Sequence, residues 1–93
     1  MAKKALVKEG TYFDSVTLMS ISKDIKDLDG VNEATIVMGT DANKEILNTA
    51  GLLVPEAEAA KPNDLVIVID GEEEVLDKAI EKTNEMLAEQ KAS

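Results

Sequence analysis

Leu65-Val66-Ile67-Val68-Ile69 is apolar at every position. Side chains alternate between faces along a strand, so a run without a polar interruption predicts a strand buried on both faces and central in its sheet. Five residues fall far below the ~20 needed to cross a bilayer. Asp70-Gly71 ends the run, and Asp70 is a candidate N-cap for the helix that follows, with Glu73 completing a capping-box-like pair. Val75, Leu76, Ala79, Ile80, Met86 and Leu87 mark one face of a helix predicted over 72–90. Glu72, Glu73 and Glu74 crowd its first turn, where the helix dipole favours negative charge.

Working back toward the N-terminus, residues 52–63 contain Pro55, Pro62 and an Ala/Glu-rich stretch, and read as a loop. Before it, Thr40 is a plausible N-cap for a short helix through Ile46, Leu47 and Ala50, stopped by Gly51. Val31 to Met38 alternates: Ala34, Ile36 and Met38 point one way, Thr35 and Val37 the other, which is a strand with one well-buried face. Leu18, Ile21, Ile25 and Leu28 recur at steps of three and four, with Met19 flanking them. Asp14 precedes them as an N-cap and Gly30 follows, predicting a helix over 15–28. Ala5-Leu6-Val7 forms the first strand. The order is β-α-β-(short α)-β-α in one small domain, residues 1–93.

Two α/β (α+β) architectures fit this order. One is a small parallel α/β unit. The other is a ferredoxin-like split β-α-β, with the third strand inserted antiparallel between the first two and no fourth strand.

Composition narrows the chemistry. The apolar fraction is 44% and the charged fraction 31%, which marks a globular chain rather than a disordered one. There is no Cys and no His, so thiolate and imidazole nucleophile pairs and their metal sites are excluded. All ten basic residues are lysines, set against nineteen acids for a net charge of −9. Such a chain repels phosphate backbones, and without Arg it lacks the bidentate donor typical of phosphate and guanine recognition. Nucleic-acid binding is not expected. The charge is uneven: residues 51–93 hold four lysines and eleven acids. Met1-Ala2-Lys3-Lys4 has no apolar stretch behind it, so it does not read as a signal peptide. A cytoplasmic protein is expected.

Three places invite a chemical reading. At Gly39-Thr40-Asp41-Ala42-Asn43-Lys44, a strand-to-helix turn offers backbone N–H groups, the Thr40 hydroxyl and the Lys44 ammonium to an anion. It lacks the glycines of a P-loop, and the plainer reading is a Thr-capped helix with Lys44 in solvent. Asp70, Glu72, Glu73 and Glu74 are dense enough for a divalent cation, but the ligand spacing of an EF-hand is missing and the helix dipole explains them. Thr11-Tyr12-Phe13-Asp14-Ser15 holds both aromatics, and neither Tyr12 nor Ser15 has a base partner; Phe13 suits a staple at the helix entry. No catalytic residue, cofactor site or metal site emerges.

Some strings are familiar in combination. Phe13-Asp14-Ser15-Val16-Thr17-Leu18-Met19, Val37-Met38-Gly39-Thr40 with Asn43-Lys44 and Ile46-Leu47, and Pro62-Asn63-Asp64 before the apolar strand resemble the N-terminal segment of FdrA proteins. Those proteins are related to NDP-forming acyl-CoA synthetases and the α subunit of succinyl-CoA synthetase. The likeness runs from Val7 to Leu87. It implies a relative or fragment of a larger protein, and it implies Gly39, Thr40, Asn43 and Lys44 as a surface for ligand or partner contact. The wider family binds CoA on a Rossmann-type domain and relays phosphate through a histidine. This chain has neither the glycine-rich loop nor any histidine.

Three functions follow as expectations. The favoured one is a non-catalytic accessory or protein-interaction domain of an FdrA-like acyl-CoA synthetase or carbamoyl-transfer system, partnered by other subunits or domains. The alternative is a regulatory module that binds a small molecule near the Gly39–Lys44 turn. An enzyme in its own right fits least. A sheet edge left open by the absent fourth strand also predicts a weak homodimer or docking to a partner domain.

Overall fold

In a computed structural model, which describes residues 2–92, the apolar run lies at the centre of the sheet. β3 (Leu65–Gly71) is flanked by β1 (Ala2–Lys8) and β2 (Val31–Met38) in the order β1-β3-β2. Both neighbours pair with it antiparallel. Ile67 sits opposite Leu6 on one side and Ile36 on the other. The parallel α/β unit is therefore excluded, and a ferredoxin-like split β-α-β with three strands among the described residues is what forms. Leu65 to Ile69 have no exposed surface at all.

Both faces of the sheet are covered, by different elements. On one face, Leu65, Ile67 and Ile69 meet Leu18, Ile21 and Ile25 of α1 (Ser15–Lys26) and Leu76, Ala79 and Leu87 of α4 (Glu73–Ala92). Ala34 and Ile36 of β2 join this core, as their alternation predicts. On the other face, Val66 and Val68 meet Leu47 of α2 (Asp41–Thr49), Leu52, Ala57 of α3 (Pro55–Ala59) and Ala60. Two apolar cores back to back explain why β3 tolerates no polar residue over five positions.

The structure corrects four local readings. The 52–63 segment contains the one-turn helix α3, with Pro55 at its first position, where the missing N–H is no loss. Asp70 does not cap α4: it belongs to β3, paired with Lys3 and Glu33, and the helix starts at Glu73. The first long helix ends at Lys26 rather than 28, with Asp27 as its C-cap. Gly30 therefore serves the turn into β2, at φ 87°, and not the helix end. Asp14 and Thr40 do cap α1 and α2, accepting from the backbone N–H of Thr17 and Asn43.

The loop between β1 and α1 is tied to the start of β3 by one carboxylate. Asp64 is buried and accepts from the N–H of Gly10 at 3.0 Å and the N–H of Lys61 at 2.9 Å. These two bonds, that from Lys61 first, hold its carboxyl below the usual carboxylate range. The Thr17 hydroxyl and N–H do the same for Asp14. A carboxyl depressed in the folded state stabilises above its unfolded value, about 3.9, and loses that contribution as pH falls through the folded one. Asp64→Asn cannot accept with both atoms. It should lower the urea midpoint at pH 7 and flatten the loss of stability below about pH 4 relative to the parent. An unchanged acid limb in a urea–pH series would remove Asp64 as its source.

No helix among the described residues is long and apolar enough to cross a membrane.

Candidate functional site: a groove between α1 and α2

The turn singled out in the sequence comes together as a unit, and Gly39, Thr40, Asn43 and Lys44 each have work within the fold. The Gly39 N–H donates to the Asp64 carbonyl at 2.9 Å. A Cβ at Gly39 would stand 2.5 Å from the Lys61 carbonyl oxygen, so only glycine fits. Thr40 Oγ1 accepts from the Asn43 N–H at 3.2 Å, and Asn43 Nδ2 donates to the Met38 carbonyl at 2.9 Å. Lys44 is not in free solvent as expected: its ammonium donates to the Glu58 carbonyl at 2.8 Å, joining α2 to α3.

Thr40 and Asn43 also form one end of a groove of about 500 Å³ that runs between α1, the free edge of β2 and α2. Its floor is Phe13, Leu18 and Ile36, all buried. Its walls are Tyr12 and Met19 on one side and Ile46 on the other, 74%, 70% and 59% exposed. Sequence reasoning set Met19 beside the core stripe and Ile46 in the short helix, and named neither as a site residue. The available signal was that Val16 and Met19 fall outside the 18-21-25-28 stripe, which leaves both on a second face of α1.

The β2 edge beside the groove is blunted by side chains. The Ile36 N–H points outward and donates to Ser22 Oγ of α1 at 3.1 Å, and the Met38 carbonyl takes the Asn43 amide. Gly39, one residue on, turns its N–H inward to Asp64, so the alternation of an antiparallel edge is kept. Two of the outward groups a pairing strand would need are thus already used.

The arrangement offers no activated nucleophile. The buried carboxylate, Asp64, is spent on two backbone amides, and the chain has no imidazole or thiol to serve as base or nucleophile.

A split β-α-β sheet with two helices on one face defines the class: a small ferredoxin-like α+β domain. Within that class the chain belongs to the family described as the AllF heavy metal-associated domain, which it matches over residues 1–93. It is also 54% identical over 71 residues, 76% of its length, to the uncharacterized protein YahF of Escherichia coli (strain K12). The chain spans 14% of the length of that relative. No solved structure matches it.

The donor set of this chain lacks the thiolates and imidazoles typical of heavy-metal sites. Soft ions also take thioether ligands, and methionine, present four times, is the one soft donor type in the sequence. Among the described residues no three carboxylates converge on a point that could hold an ion. Asp70 lies in the sheet, while Glu73 and Glu74 sit in the first turn of α4.

Proposed function

We propose that this domain is a non-catalytic accessory domain of an FdrA-like acyl-CoA synthetase or carbamoyl-transfer system, and that it works by contact with other subunits or domains. The observation that carries the reading is a three-stranded ferredoxin-like fold in which no nucleophile is paired with a base among the described residues. It has no Cys, His or Arg. Its relative YahF is a far longer protein, of which this chain matches 14%. The side chains of Thr40, Asn43 and Lys44 are engaged within the fold, which favours contact with a protein over capture of a small ligand there.

The test is coexpression with a CoA-binding synthetase subunit of the FdrA type, followed by gel filtration at moderate salt and an assay with CoA, ATP and simple acids. Co-elution in fixed ratio, with no turnover by the chain alone, is the expected result. Acyl-CoA formation by the isolated chain that disappears in Lys44→Ala would make it an enzyme, and absence of co-elution would remove the accessory role.

A further inference from the structure

We propose that the groove between α1 and α2 receives a basic amphipathic helix from a partner protein, an inference that deepens the accessory reading and rests on it. The first support is where the exposed apolar surface lies. Tyr12, Val16, Met19 and Ile46 are the large apolar side chains left exposed among the described residues. Three of the four line this groove, and Val16 lies three residues before Met19 on α1, hence on the same side of the helix. Apolar surface gathered in one place marks a surface that something else covers.

The form of the occupant follows from the edge. A strand would need the outward N–H and carbonyl groups of β2, and Ser22 and Asn43 already hold two of them. A helix needs none, because its backbone bonds are internal. It presents anchors at i, i+3, i+4 and i+7 to an apolar trough. Met19 and Met38 line the groove as unbranched, adaptable side chains that can fit such anchors.

The charge of the occupant follows from the balance of the whole chain. The lining of the groove contains no charged side chain. Lys23 and Lys26 stand exposed further along α1, and the segments that supply the lining, 12–22 and 36–46, carry Asp14, Asp41 and Glu45, all exposed. Their one lysine, Lys44, has its ammonium on the Glu58 carbonyl. The net charge of −9 on the whole chain favours a partner whose anchors are flanked by Lys or Arg over an acidic one.

The probe is a synthetic Leu/Lys peptide of about 18 residues, or five turns, with Leu at i, i+3, i+4 and i+7. The controls are a scrambled peptide of the same composition and a Leu/Glu version. Amide chemical shifts of the full chain are followed during titration, and calorimetry gives affinity. Saturable one-to-one binding is expected, with shifts confined to residues 12–22 and 36–46, and neither control should match it. The double variant Met19→Ser, Ile46→Ser should bind about tenfold or more weakly while unfolding at the parent's urea midpoint, since both side chains are exposed. Equal binding of the scrambled peptide, shifts centred on the acidic face of α4, or an unweakened double variant would each overturn the groove as the site. If the double variant still co-elutes with the synthetase subunit, the groove assignment falls and the accessory reading stands. If the parent chain does not co-elute, the accessory reading falls whatever the peptide does.

Discussion

Ile67→Ala should destabilise the domain by about 2–5 kcal/mol, the range for removing a large aliphatic side chain from a core that cannot collapse around the gap. Ile67 has no exposed surface and lies at the middle of the central strand, with Leu6 and Ile36 opposite it on either side. Ile67 and Ile36 belong to the core that α1 and α4 close over, and the half-buried Leu6 packs against it. Backbone on both sides holds the strand in register, so the cavity has few ways to shrink. Small domains are stable by only about 5–15 kcal/mol, so the variant should show a large drop in urea midpoint and approach unfolding at elevated temperature. Ile46→Ala provides the internal comparison: at 59% exposure it should change stability by less than about 0.5 kcal/mol. Equal effects at the two positions in urea titrations would mean that β3 is not the centre of the core.

The same asymmetry explains what the sequence made legible. Period-two and period-three-to-four patterns are written by burial, so the elements with one clear buried face could be read directly. Leu18, Ile21 and Ile25 announced α1, and Ala34 with Ile36 announced the face of β2. The unbroken Leu65–Ile69 run announced a central strand, and the antiparallel pairing on both sides then selected the ferredoxin-like arrangement. What covers the second face was not legible. Leu47, Leu52, Ala57 and Ala60 are spaced irregularly over two short helices and the connection between them, and Ala57 is small enough to pass as loop composition between Pro55 and Pro62. Asp70 looked like a cap because capping residues and strand-ending residues are the same types; only the register with Lys3 and Glu33 distinguishes them.

The candidate site was legible in part, for a related reason. The Gly39–Lys44 turn stood out because its residue types are distinctive, and it does border the groove through Thr40 and Asn43. The apolar walls did not stand out. Met19 and Ile46 are ordinary residues for a helix, and their exposure is a property of three-dimensional placement rather than of spacing. An exposed apolar groove made of such residues leaves a weak trace in one sequence, because none of them is an unusual residue for a helix.

Gly39→Ala is the second substitution with a large expected effect, and it separates the two readings of the turn. Its Cβ would come 2.5 Å from the Lys61 carbonyl oxygen and 3.1 Å from Ala60 Cβ. Backbone rather than a flexible side-chain tip receives the clash. That backbone is itself fixed: the Lys61 carbonyl accepts from the Asp64 N–H at 2.9 Å, and the Asp64 carboxylate holds the Lys61 N–H. The turn over 60–64 must therefore move as a body, or β2 must lift away and stretch the Gly39 to Asp64 hydrogen bond. Overpacking of this kind costs about 1–3 kcal/mol, and a weakened backbone bond adds about 0.5–1.5 kcal/mol. Ala60 and Val66 belong to the second core, so the displacement should loosen Leu47 and Leu52 as well. Amide hydrogen exchange should accordingly rise across α2 and the start of β3 while α1 stays protected. If Gly39 were instead a ligand or partner contact with no packing duty, the alanine variant would unfold at the parent's urea midpoint and differ only in binding. A lowered midpoint with faster exchange in 41–49 assigns the glycine to the close approach of two backbones, and leaves Tyr12, Met19 and Ile46 as the residues through which to test docking.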